Sequence, residues 1–140
     1  MENLNIKIVK TAPIDQLIEL YKDAGWWCDE NDSADPQFIQ KIIEGSFCFV
    51  VAFLEDKIIG MGRAISDSVS DAYIQDVVVL NEFRGQQIGV LIMDTIIAYL
   101  KANGISWIGL ISEPKAVSFY QRYGFKEMKD YVPFKLEEGQ

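Results

Sequence analysis

The sequence predicts an α+β fold, a central mixed twisted sheet flanked by helices, in the order β-α-α-β-β-β-α-β-α-β(-β). Three observations point there. Apolar residues form strand-like stretches over 4–9 and again through 47–65 and 72–80. They recur at three- and four-residue spacing over 13–24, 36–44, 87–102 and 115–123, as on helices that bury one stripe. Segments 72–80 and 105–111 are joined by one such helix, which predicts a right-handed parallel crossover.

Residues 4–9 read as the first strand, with Leu4, Ile6 and Ile8 on one face. Thr11-Ala12-Pro13 turns the chain, and Thr11 or Ala12 precedes a helix over about 13–24 that buries Ile14, Leu17, Ile18 and Tyr21. Gly25 ends it. Residues 26–35 are the least regular stretch and hold Trp26, Trp27, Asp29, Glu30, Asp32 and Asp35. Asp35 is expected to cap a short helix, with Pro36 in its first turn and Phe38, Ile39 and Ile42 facing inward.

The pattern then changes. Strands over 47–54 and 57–65, joined by the acidic turn Glu55-Asp56, predict a hairpin. A polar turn at 66–70 leads to the strand 72–80. Its run Val77-Val78-Val79-Leu80 is too apolar for a strand with one wet face, so that end is expected to be covered on both. The following helix should bury Ile88, Leu91, Ile92, Thr95, Ile96 and Tyr99, and Asn103-Gly104 stops it. After strand 105–111, Pro114 opens a last helix, Gly124 ends it, and residues 125–136 are expected to supply one or two closing strands. No repeat or linker interrupts the chain, so residues 1–140 are read as one domain.

Composition narrows the chemistry. The absence of histidine removes the usual transition-metal ligand, the usual neutral-pH base and nucleophilic triads of the Ser/His/Asp kind. No metal site is expected, although carboxylate-only Mg2+ or Ca2+ sites stay open. Thirteen basic residues against 21 acidic ones give a net charge of −8, with no basic cluster to offset it, which counts against nucleic acid as a partner. No apolar run approaches a membrane span, and the N-terminus lacks the signature of a signal peptide. A cytoplasmic location is expected by default. On that basis Cys28 and Cys48 are read as free thiols rather than a disulfide.

The informative stretch runs from Gln75 to Gly89. A strand enters a turn, Arg84-Gly85 tightens it, and a helix begins at once. The first turn of a helix has free N–H groups at the positive end of the macrodipole, so it suits an anion, with Arg84 nearby to add charge. Gly85 permits a φ that other residues resist. The motif is neither a P-loop, which needs Gly-Lys-Ser/Thr, nor a dinucleotide G-x-G-x-x-G. A plain helix cap with glycines used for packing is the alternative.

Here the sequence resembles the GCN5-related N-acetyltransferase family along nearly its whole length. That family carries R/Q-x-x-G-x-G/A after its fourth strand, and Arg84-Gly85-Gln86-Gln87-Ile88-Gly89 is similar, with Gln87 in place of the middle glycine. Ordinary helical φ/ψ at Gln87 would keep its N–H available. A second stretch, Phe119-Tyr120-Gln121-Arg122-Tyr123-Gly124-Phe125, resembles the family's F/L-Y-x-x-x-G-F, while Glu113 stands where relatives often have asparagine.

The resemblance implies a splayed parallel strand pair that admits acetyl-CoA as acetyl donor. It places Val77, Val78 and Val79 along the cofactor edge, with a backbone N–H of Val78 or Val79 facing the thioester oxygen. The pyrophosphate would be wrapped by Arg84, Gly85, Gln86, Gln87, Ile88, Gly89 and Val90, and Tyr120 would protonate the departing thiolate. The acceptor implied is a primary amine, attacked directly in a ternary complex. Trp26 and Trp27 beside acids suit a small cationic or aryl-bearing amine, or else form a solvated loop. Asp71, Tyr73, Gln75 and Asp76 occupy the strand before the cofactor edge, and a carboxylate there acting through water, or Glu113, is the candidate to take the amine proton, with solvent as the alternative. Strand alternation sets Asp71, Tyr73 and Gln75 on one side and Asp76 on the other. A protein lysine or N-terminal acetyltransferase and a non-catalytic acyl-CoA sensor are the rival readings, and a homodimer is a reasonable expectation.

Overall fold

The structure is a computed structural model that describes residues 2–27 and 36–137. Cys28, Asp29, Glu30, Asp32 and the expected cap Asp35 lie outside the described residues. By its contacts the chain falls into two units, Met1–Leu110 and Ile111–Gln140.

The first unit holds five strands, β1 (Leu4–Ile8), β2 (Cys48–Leu54), β3 (Lys57–Ser66), β4 (Asp71–Val79) and β5 (Trp107–Leu110), side by side in that order. Neighbours from β1 to β4 are antiparallel, and β4 and β5 are parallel, so the sheet is mixed as expected. Glu55, at a left-handed φ of 55°, closes the β2–β3 hairpin. Helices α1 (Ile14–Asp23) and α2 (Pro36–Gly45) precede the hairpin, and α3 (Ile88–Ala102) makes the crossover from β4 to β5.

The helices cover the sheet with two different cores. Leu17, Leu20 and Tyr21 of α1 and Ile39 and Ile43 of α2 are buried in one cluster with Phe49, Val51, Met61 and Val78. Helix α3 buries Ile88, Ile92, Met93, Ile96 and Leu100. It comes so close to β3 that a Cβ on Gly62 would lie 2.9 Å from Ile92 Cγ2 and 3.0 Å from Ile96 Cδ1. Cys48, at the start of β2, is a buried free thiol, and burial pushes its pKa up to about 11.

Some inward faces differ from the expectation. Phe38 is 54% exposed, and the buried α2 positions are Ile39 and Ile43, four apart on one helical face. Leu91 is also exposed, its place in the α3 core taken by Met93 and Leu100.

The second unit begins with a single 3-10 turn, Pro114–Ala116, and continues into α4 (Val117–Tyr123). Gly124 ends α4 at a φ of 116°, which only glycine adopts readily. The closing strands expected over 125–136 are not formed among the described residues. The chain turns instead at Asp130 (φ 70°), and Tyr131 N–H donates to Met128 O at 3.2 Å. Pro133 has no N–H to offer, and alternation makes a strand only where a ladder partner is present.

The close approach at Gly62 gives a stability test. Gly62→Val should lower the unfolding free energy by about 1–3 kcal/mol through overpacking against Ile92 and Ile96, read from the urea midpoint at unchanged m.

Candidate functional site

Strand β4 is paired on both sides only at its start. Asp71, Ala72, Tyr73 and Ile74 pair with Trp107, Ile108, Gly109 and Leu110 of β5. From Gln75 to Val79 the ladder continues on the β3 side alone. Leu80 N–H donates to Ile59 O at 2.9 Å, which fixes the alternation just upstream. Val78 therefore turns its N–H toward β3, and Val77 and Val79 turn theirs to the open edge. Of Val78 and Val79, the two amides singled out from the sequence, only Val79 turns toward the open edge, and Val77 joins it.

The open edge begins at a bulge. Met61 pairs with Val78 and Arg63 with Gln75, so Asp76 and Val77 together face Gly62. Asp76 takes a left-handed φ of 56°. This corrects the alternation expected from sequence, because Gln75 and Asp76 both reach Arg63 rather than pointing to opposite sides. Arg63 Nε donates to Asp76 Oδ2 at 2.6 Å, and its Nη2 donates to Gln75 Oε1 at 3.3 Å. Tyr21 Oη, from α1, donates to the same Asp76 oxygen at 2.9 Å. The Arg63 and Asp76 side chains are only 15% and 22% exposed. Burial and then the Asp76 charge raise the Tyr21 pKa, so its hydroxyl remains a donor throughout the neutral range.

Beyond Val79 the loop is held by side chains. Asn81–Phe83 form one 3-10 turn, and Gly85 has a φ of 80°. Arg84, expected to add charge to an anion site, is engaged by the protein's own groups. Its Nε donates to Val79 O at 3.0 Å, Nη1 to Asn81 Oδ1 at 3.3 Å, and Nη2 lies 3.6 Å from Asp23 Oδ2. Asp23 also accepts the Asn81 N–H at 3.2 Å, which ties the loop to the end of α1. Leu91 N–H closes the first turn of α3 on Gln87 O at 3.2 Å. The N–H groups of Ile88, Gly89 and Val90 precede that bond and have no intrahelical partner. The Ile88 side chain is buried in the core, while Gln86 and Gln87 are exposed.

Gln87 does not take helical φ/ψ. It sits at the N-cap with φ 68° and ψ 10°, the left-handed conformation that glycine adopts most readily. A glycine in the resembling pattern falls at this position, so the departure from the pattern carries a backbone cost.

Trp26 meets Tyr21 edge to face at 6.1 Å, one residue contact away from Asp76. Trp27 packs on Phe38 at 6.1 Å. Tyr73 and Trp107, both part-exposed, lie 5.1 Å apart on neighbouring strands, and a Cβ on Gly109 would meet the Trp107 ring at 2.4 Å. In the second unit, Tyr120 packs between Phe119 at 5.1 Å and Phe125 at 6.0 Å. Burial and then Glu113 raise its pKa, so the phenol holds its proton. Among the described residues no cluster of three metal-capable side chains is present, and no helix is long and apolar enough to cross a membrane.

Nothing in the sequence pattern marked Arg63 as part of this site, and Tyr21 read simply as core. The available signal was one arginine inside an otherwise apolar strand.

A sequence model of the acetyltransferase (GNAT) domain matches residues 19–135. An uncharacterized N-acetyltransferase, ycf52, of Gracilaria tenuistipitata var. liui is 38% identical over 87 residues, covering 59% of this chain and 48% of that protein. Serotonin N-acetyltransferase 2, chloroplastic, of Oryza sativa subsp. japonica is 35% identical over 74 residues, covering 53% of this chain and 37% of that protein. The chain thus spans about half the length or less of these curated relatives. A solved structure of a probable acetyltransferase from Staphylococcus aureus superposes with a TM-score of 0.81 at 25% identity, covering 96% of this chain and 98% of that one.

Replacing Gln87 by glycine should relieve the left-handed strain, less the extra entropy glycine gives the unfolded chain. The expected gain is about 0.5–1 kcal/mol in urea unfolding, whereas Gln87→Val should lose stability in the same assay.

Proposed function

The chain belongs to the GCN5-related N-acetyltransferase (GNAT) family, and from that premise we propose that residues 1–140 act as an acetyl-CoA-dependent N-acetyltransferase domain. The observation that carries this reading is the half-paired end of β4, where Val77 and Val79 present N–H groups that no strand among the described residues takes up. An extended amide chain such as pantetheine fits that edge as an added strand does. The free N–H groups at the start of α3 and the tight turn at Gly85 suit the pyrophosphate. Acetyl-CoA would supply an activated thioester, and in this reading the Val77 or Val79 N–H would hold the negative charge that develops on its carbonyl oxygen.

Tyr120 is assigned as the proton donor to the departing sulfur. The family pattern around it and its protonated phenol support that role. Asp76 Oδ2 already accepts from Arg63 and Tyr21, so solvent is the better candidate to remove the amine proton. A direct attack by the amine in a ternary complex needs no protein nucleophile. The acceptor proposed is a small cationic or aryl-bearing amine. Trp26, one contact from the Tyr21–Asp76 pair, favours it, and a relative named for serotonin acetylation gives it further support.

One observation favours a second reading, an acyl-CoA-binding module without turnover. The strained Gln87 occupies a glycine position in the loop that would bind the pyrophosphate. Thiol release from acetyl-CoA across a panel of small amines and lysine peptides separates the two. Turnover with small amines is expected, turnover only with peptides would overturn the acceptor, and binding without turnover would establish the sensor. Tyr120→Phe should lower kcat by about 100-fold while leaving the acetyl-CoA KM nearly unchanged. An unchanged kcat would remove the proton-donor role.

A further inference from the structure

We propose that Arg63 and Tyr21 are positioning residues that, acting through Asp76, hold the bulge by which Val77 and Val79 face the open edge of β4. The inference rests on the reading of that edge as the acyl-donor site, and it concerns how the edge is kept in register.

A strand without the extra residue at Asp76 would slip by one position relative to β3. Because strand groups alternate with a period of two, such a slip reverses which N–H groups point to the open edge. Val78 would then face outward, and Val77 and Val79 would turn into the β3 ladder. The bulge therefore decides which amides are offered, and the question becomes what keeps it in place.

Backbone preference alone does not. Asp76 lies at a φ of 56°, a region that aspartate tolerates better than most residues but that still costs on the order of 1 kcal/mol. What offsets that cost is its carboxylate. Oδ2 receives Arg63 Nε from β3 and Tyr21 Oη from α1, two donors on separate elements that converge on one atom. Arg63 also reaches Gln75 Oε1 and lies 3.4 Å from Ser46 Oγ through Nη1, so its guanidinium is fixed from three sides. A regular strand would carry the Asp76 side chain to the opposite face, away from both donors. Breaking the bulge would thus strand a mostly buried arginine, which is unfavourable.

The test uses Tyr21→Phe, which deletes one hydroxyl without opening a cavity, and Asp76→Asn, which keeps tolerance for the left-handed backbone and removes the charge. Ile43→Val serves as a core control that perturbs the cluster holding Tyr21 and Val78 while leaving the hydrogen bonds to Asp76 in place. Two quantities are measured in the full chain: the Kd for CoA, and amide hydrogen exchange at Val77, Val78 and Val79 without ligand. The wild type should show Val78 protected relative to Val77 and Val79. Both site variants should weaken CoA binding about tenfold and shrink that exchange contrast, while Ile43→Val alters neither. Unchanged CoA affinity and exchange contrast in both site variants would overturn the proposal and leave Arg63 and Tyr21 a purely structural role. Should the wild type bind no CoA, the acyl-donor reading falls, and the exchange contrast alone decides the positioning role.

Discussion

A strand that loses one neighbour halfway along its length must still satisfy its backbone, and β4 is built around that constraint. Near its start Ala72, Tyr73 and Ile74 are paired on both sides, and from Gln75 onward the ladder runs on the β3 side alone. Buried main-chain N–H and C=O groups left without partners are costly, so a half-paired strand inside a fold calls for something to complete it. Part of the completion is internal, since Arg84 takes the Val79 carbonyl. The N–H groups of Val77 and Val79 remain turned to the open edge.

Two residues other than glycine adopt left-handed backbone at the ends of this edge. Asp76 precedes it and Gln87 closes the loop after it. They are treated differently by their surroundings. Asp76 is locked by two donors on its carboxylate, whereas Gln87 has no side-chain cap bond and is exposed. The front of the edge is thus fixed by side-chain chemistry from α1 and β3, and the rear by the Arg84 clasp onto Asn81 and Asp23. Helix α1 enters both arrangements, through Tyr21 and Asp23, and the irregular stretch that carries Trp26 and Trp27 leaves from its end.

Most of the fold was legible because it is written locally. The hairpin at Glu55-Asp56, the helical stripes and the β4–α3–β5 crossover each follow from patterns within a few residues or one connection. The bulge was not legible, because it depends on Arg63 and Tyr21, 13 and 55 residues away from Asp76. Regular alternation therefore misassigned the side on which Asp76 lies. The left-handed Gln87 was hidden for another reason: glutamine has no preference for that conformation, and only the glycine of the family pattern hinted at it. The closing strands failed in the opposite direction. Residues 125–136 alternate well enough, but periodicity describes a face and cannot supply the partner that makes a ladder.

The Arg84 clasp has a consequence for how such a protein diverges. Its guanidinium is occupied with the protein's own carbonyl and carboxylate groups, so recognition at the loop falls to main-chain amides, which every residue but proline possesses. In the proposed role, the donor pocket is then largely indifferent to the side chain at position 86, whereas position 87 is held by the demands of its left-handed backbone. Under the same proposal, the tryptophans and acids of positions 26–35 would have no such insulation, because there each side chain would itself be the recognising group. Inheritance of one acyl donor alongside rapid change of acceptor is what that division of labour would produce.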